Sequence, residues 1–188
     1  MIEDYKGFVK NKVLIALLQA YHDILDYDGM KSILKEAGMI HIKDVRDKDP
    51  NDTLDFFSFK KIIAAQNCLL CDSPDLLFEI GKKFSFYLFP YGKKFEEIID
   101  EITSSINADW KVNIIRNNEN EIFISVEQCI FCSEIGVPCD LFKGFLFNSL
   151  QKSLPSEHKV IYDRDKHDVK NPQHSSFIVK LRIDTSIK

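Results

Sequence analysis

The chain has 188 residues, 45% of them hydrophobic and 29% charged, with a net charge of -4 and a pI near 5.7. That is the composition of a globular domain able to bury roughly 70% of its extended surface without a disulfide or metal. The acidic balance speaks against a nucleic-acid binder, no apolar run approaches the roughly 20 residues of a membrane span, and Met1 to Lys6 has no signal-peptide pattern, so a cytoplasmic protein with reduced thiols is expected.

The first half reads as helices. Val9, Val13, Leu17, Ala20, Tyr21 and Ile24 share a face of a helix over 8–26. A second short helix is predicted between Gly29 and Gly38, with Met30, Ile33, Leu34 and Ala37 on one face and Gly38 as its C-cap. The Asp-rich stretch 43–55 reads as a solvated loop, lacking the ligand spacing and central glycine of a calcium loop. A third helix over 55–67 presents Phe59, Ile62, Ile63 and Gln66. Asp72-Ser73-Pro74 opens a fourth that stops at Pro90, and 93–107 carries Phe95, Ile98, Ile99, Ile102 and Ile106 inward.

The period changes after Asn107. Trp110, Val112 and Ile114 alternate with polar residues, Asn117 to Asn120 turns the chain, and Ile122, Ile124 and Val126 return as a hairpin. Cys139 to Ser153 is helical, and 158–163 and 176–183 read as two more strands. The expected fold class is α+β in a single domain over 1–188: a helical part over 7–107, then β-β-α-β-β over 108–184 with a four-stranded antiparallel sheet packed on helices.

The five cysteines are not scattered. Cys129 and Cys132 form one C-x2-C, followed by Cys139, and Cys68 and Cys71 form another. A C-x2-C at a strand end lets two thiolates reach one ion, and a cysteine opening a helix lies near N–H groups that favour its thiolate. His167 and His174 bracket a polar turn and could converge on the same metal. The bland alternatives stand beside these readings: small buried residues for the three cysteines and polar turn residues for the histidines. Cys68 and Cys71 continue an apolar helix end and read as core packing. The run Phe84, Phe86, Tyr87, Phe89, Tyr91 and Phe95 reads as core, with the wall of an apolar pocket as its functional alternative. No G-x-S-x-G and no glycine-rich phosphate loop is present, so no catalytic residue is assigned and no enzyme is expected.

Taken in order, Gly7-Phe8-Val9 with Leu14, Leu17 and Leu18, then Gly29 to Gly38, then C-x2-C…Pro138-Cys139 leading to Gly144-Phe145-Leu146, resembles the 4-vinyl-reductase-like (4VR) domains over about residues 7–183. These are related to TRAPP core subunits and, more distantly, to haem nitric-oxide-binding domains. The resemblance implies a non-enzymatic homodimer binding a small hydrophobic molecule, with Phe84, Phe89, Phe95, Phe142 and Phe145 against the ligand. It also implies a zinc ion pinning the last helix to the C-terminal hairpin, with Cys139, His167 and His174 as ligands and Cys129, Cys132, Asp163 or Asp165 completing the shell. The alternatives are a cysteine-based redox or metal sensor and a TRAPP-like scaffold acting by dimerisation. A haem role is not expected, because the Tyr-x-Ser-x-Arg anchoring pattern is absent.

Overall fold

Phe8, Val9 and Lys10 form a short strand, β1, that the helical pattern of the sequence conceals. In the computed structural model, which describes residues 7–44, 49–132, 139–162 and 176–185, β1 leads directly into α1 (Asn11–Glu36). The two helices expected here are one element broken at Asp26, whose backbone adopts φ 62° and ψ -174°. The Asp26 carboxylate accepts the N–H groups of Asp28 at 2.9 Å and Gly29 at 3.0 Å, so it caps the second half of the helix where the first half stops.

The loop expected over 43–55 ends in β2 (Thr53–Asp55), which pairs antiparallel with β1. Asp55 then caps α2 (Phe56–Leu69) by accepting the Ser58 N–H at 2.8 Å. α3 (Pro74–Leu88) begins with proline in its first turn, and at the start of α4 (Phe95–Ser105) the Glu97 carboxylate accepts the Lys94 N–H at 3.3 Å. β3 (Ile106–Asn107) pairs with the other edge of β1, so the small sheet has the order β2-β1-β3.

The second sheet has the order β4-β5-β7-β6, all antiparallel, and matches the expected four strands: β4 (Lys111–Asn117), β5 (Glu121–Glu127), β6 (Lys159–Ile161) and β7 (Phe177–Asp184). Ile122 pairs with Leu181 and Ile124 with Val179, and these four buried residues turn one face of the sheet to the core. α5 (Asp140–Ser153) enters between β5 and β6.

The closest helix packing joins α3 to α5. A Cβ added at Gly81 would lie 1.9 Å from the Leu141 carbonyl oxygen, and one at Gly144 would lie 2.1 Å from that of Phe78. Only glycine permits two backbones to approach this closely. The Ser85 and Ser149 hydroxyls hydrogen-bond across the same contact at 2.8 Å and Asn148 Nδ2 donates to Ser85 Oγ at 3.2 Å, so these polar groups of the seam are satisfied. The architecture is therefore α+β, as the sequence indicates at that level, with a second, three-stranded antiparallel sheet that the sequence reading does not include.

Candidate functional site

Cys129 lies just past the end of β5, after Gln128, whose φ is 50°. That kink takes the chain off the sheet and into a turn closed by the Cys132 N–H on the Cys129 carbonyl at 3.3 Å. Cys139 arrives from the other direction as the residue capping α5, and its carbonyl accepts the Lys143 N–H at 3.2 Å. The sulfurs of Cys129, Cys132 and Cys139 all lie within 4.8 Å of one another, and all three residues are buried. Cys129 Sγ and Cys139 Sγ are 3.4 Å apart.

Burial alone would raise the Cys129 thiol. The neighbouring Cys132 and Cys139 thiols and the N–H groups of Phe131 and Cys132 outweigh it and hold Cys129 well below the ordinary thiol range. Cys132 is pushed up by hydrogen bonding to Cys129 and then to Cys139, with burial adding to it. Cys139 is pushed up by burial first and then by Cys129. The three thiols are thus driven apart, Cys129 toward its thiolate and Cys132 and Cys139 away from theirs.

The turn between Cys129 and Cys132 is held by α2. Lys60 Nζ donates to the Ile130 carbonyl at 3.1 Å and Asn67 Nδ2 to the Phe131 carbonyl at 3.2 Å. Behind Asn67, its Oδ1 accepts from Gln66 Nε2 at 2.9 Å, and Gln66 Oε1 accepts from the Tyr21 hydroxyl at 2.7 Å. Tyr21 and Gln66 are fully buried and Asn67 nearly so. Sequence reading placed Tyr21 and Gln66 only as members of apolar helix faces. A glutamine on such a face was the available signal, because a buried amide needs partners.

The other predicted site residues divide. His167 and His174, with Asp163 and Asp165, lie outside the described residues. Among the described residues the metal-competent group contains only the three cysteines. It joins the end of β5 to the start of α5. Cys68 and Cys71, expected in the core, are exposed. Phe84, Phe89, Phe95, Phe142 and Phe145 are all buried, and most of them pack on other rings rather than around a space. Phe142 stacks on Phe145 at 5.5 Å and on Phe131 at 5.3 Å, Phe84 meets Phe145 at 5.0 Å, and Phe89 meets Phe145 at 6.2 Å. The aromatic layer therefore ends on Phe131, inside the cysteine turn.

No family profile matches the sequence, and no curated protein matches it. Solved structures do match. An oxygen-binding H-NOX domain related to soluble guanylate cyclases superposes with a TM-score of 0.58 at 15% identity, over 96% of this chain and 98% of that one. An iron(II) unliganded H-NOX mutant from K. algicida gives 0.56 at 12% identity, over 96% and 98%. A structure from a study of haem distortion in the H-NOX family gives 0.56 at 16% identity, over 96% and 98%. The chain has the H-NOX fold.

This corrects the 4VR and TRAPP resemblance. Helices followed by β-β-α-β-β is a statement about order along the chain, and the arrangement of those elements in space is that of H-NOX domains. The expectations that rested on the resemblance fall with it: the zinc pin, the small hydrophobic ligand, the homodimer, the thiol redox or metal sensor, and the TRAPP-like scaffold. Among the described residues no helix is long and apolar enough to cross a membrane.

Proposed function

We propose that this chain is a binding domain of the H-NOX fold that works without histidine-held haem, its binding centre being the thiols of Cys129, Cys132 and Cys139. The neighbours in fold include an oxygen-binding domain and one studied for its haem. A haem needs an axial ligand and a slot between secondary-structure elements. The described residues do not fit that need. Their histidines are His22 and His41, both exposed, and His158, half-buried, and none belongs to the core. The interior carries Trp110, Phe131, Phe142, Phe145 and Phe84 ring against ring, and Gly81 and Gly144 bring α3 and α5 into backbone contact.

The observation that carries the reading is the convergence of three buried sulfurs from two separate segments. Three thiolates form a soft site, and soft thiolate sites select cations such as copper(I). Three-fold coordination by thiolate suits copper(I), which does not need the fourth ligand that zinc takes. Metal–sulfur bonds of about 2.3 Å would put the sulfurs roughly 4 Å apart, inside the observed spread. The ligands must be deprotonated to bind, so uptake of the ion would release protons. The start of α5 supplies a positive dipole end beside Cys139.

Anaerobic copper(I) titration against a competing chelator tests this. The wild type should take one tightly held ion, each of Cys129→Ser, Cys132→Ser and Cys139→Ser should lose it, and Cys68→Ser with Cys71→Ser should keep it. Equal uptake by the wild type and the Cys129→Ser, Cys132→Ser, Cys139→Ser triple variant would overturn the assignment.

A further inference from the structure

We infer that Cys68 and Cys71 form an entry site for copper(I), where a small thiolate complex of the ion docks and passes it to the buried thiols; this rests on the reading of Cys129, Cys132 and Cys139 as the binding centre. The buried cluster leaves the other C-x2-C of the chain without a role, and both of its cysteines are exposed. Cys68 belongs to the last turn of α2. Leu70 caps that helix with its N–H on the Gln66 carbonyl at 2.9 Å, and the Ser73 N–H closes the next turn on the Leu70 carbonyl at 3.0 Å. Residues three apart on a helical turn have Cβ atoms about 5–6 Å from one another. An ion held between two thiolates by bonds of about 2.3 Å sets its sulfurs about 4.6 Å apart, which that spacing accommodates. Copper(I) takes two such soft ligands as readily as three.

The exposed pair lies beside the buried one. Asn67 Nδ2 donates to the Phe131 carbonyl at 3.2 Å. Asn67 is the residue before Cys68 and Phe131 the residue before Cys132, so one hydrogen bond ties the neighbours of the two pairs together. Successive helical residues point about 100° apart, so Asn67 turns to the interior and Cys68 to the surface. There Cys68 lines an open cleft of about 390 Å³ between the end of α1 and α2. Ala37, Ala64 and Ala65 give the cleft an apolar wall, and Glu36 and Lys61 supply a carboxylate and an ammonium. That set suits a small peptide thiol with an amino group and a carboxylate of its own, bringing its metal up to Cys68. Helix dipoles set the direction of transfer. Cys68 is at the negative end of α2 and Cys139 at the positive end of α5, so the thiolates that hold the ion are better stabilised in the buried set. The step is ligand exchange at constant oxidation state. Each cysteine–copper bond forms as a donor sulfur–copper bond breaks, and the cysteine proton leaves with the donor thiol.

The test follows anaerobic loading of metal-free protein from copper(I)–glutathione by stopped-flow absorption of the copper–thiolate band. An ion parked beside the centre is presented at about millimolar effective concentration, so with micromolar donor the Cys68→Ser, Cys71→Ser variant should load roughly tenfold or more slowly to the same tight occupancy. A Cys68→Met, Cys71→Met variant keeps two soft ligands and should load at close to the wild-type rate. Against a weak competing chelator the wild type should hold a second ion, and the Cys129→Ser, Cys132→Ser, Cys139→Ser variant should still hold one. A tight ion that loads equally fast in the wild type and the Cys68→Ser, Cys71→Ser variant overturns the entry site and leaves the centre standing. One weak ion held by the exposed pair in a protein that holds no tight ion would uphold copper(I) binding at Cys68 and Cys71 and sink the buried centre, so the two fail separately.

Discussion

Adding one methyl group at Gly81 tests how closely the α3–α5 seam is packed. The new Cβ would sit 1.9 Å from the Leu141 oxygen, 2.8 Å from the Leu141 carbonyl carbon and 2.9 Å from the Phe145 nitrogen. All three are backbone atoms, so no side chain can swing aside. Ordinary contact begins near 3.4 Å, and the helices must therefore part by about 1.5 Å. A gap of 0.5–1 Å already forfeits a quarter to a half of each dispersion contact, and the Ser85–Ser149 hydrogen bond would stretch with it. Overpacking of this kind costs about 1–3 kcal/mol or more, against a gain of about 1 kcal/mol from replacing glycine by alanine in a helix. We expect Gly81→Ala to lose about 2 kcal/mol in equilibrium urea unfolding, followed by Trp110 fluorescence at unchanged m. Gly92→Ala is the control. Its Cβ meets only the Lys152 oxygen at 3.9 Å, and stability should stay within about 0.5 kcal/mol of wild type. A Gly81→Ala protein as stable as the wild type would refute the reasoning, because the seam would then open at little cost.

Two further outcomes are expected. Haemin mixed with the purified protein should give no one-to-one complex that survives gel filtration; a stoichiometric complex with a shifted Soret band would contradict the closed interior. The metal-free protein should show a stability profile centred near the ordinary thiol pKa of about 8.5. Cys129 is held below that value, so its contribution is present above it and is lost as pH falls through the lower folded value. Cys132 and Cys139 are held above it, so their contribution is present below about pH 8.5 and is lost as pH rises. Urea midpoints should therefore decline on the alkaline side, and decline less in a Cys132→Ala, Cys139→Ala variant; identical alkaline slopes would count against this separation of the three thiols.

Much of this protein is legible along the chain. Periodicity of 3–4 residues marked α2 to α5, alternation marked β4, β5, β6 and β7, and Pro74 and Pro90 bounded α3 within a residue or two. Local preferences produce those signals, so they survive without tertiary information. The strands β1, β2 and β3 were not legible, because two or three residues are too few for a period and each exists only by pairing with the others. The break in α1 was seen as two helices, but the Asp26 cap that makes it one kinked element lies in backbone dihedrals.

The candidate site divides along the same line. C-x2-C followed by Cys139 is a property of spacing, and spacing named the three residues that converge. What lies opposite them is not. Lys60 and Asn67 reach the turn from more than 60 residues away, and Gln66 and Tyr21 reach it only through Asn67. The exposure of Cys68 and Cys71 likewise depended on how the end of α2 meets its neighbours. The family suffered most. The order of helices and strands is written in the sequence, while their arrangement in space, which made the fold that of an H-NOX domain, follows from contacts between distant segments such as Gly81 on Leu141 and Val179 on Ile124. Local physics sets the elements, and the burial of their apolar faces against one another decides the fold they build.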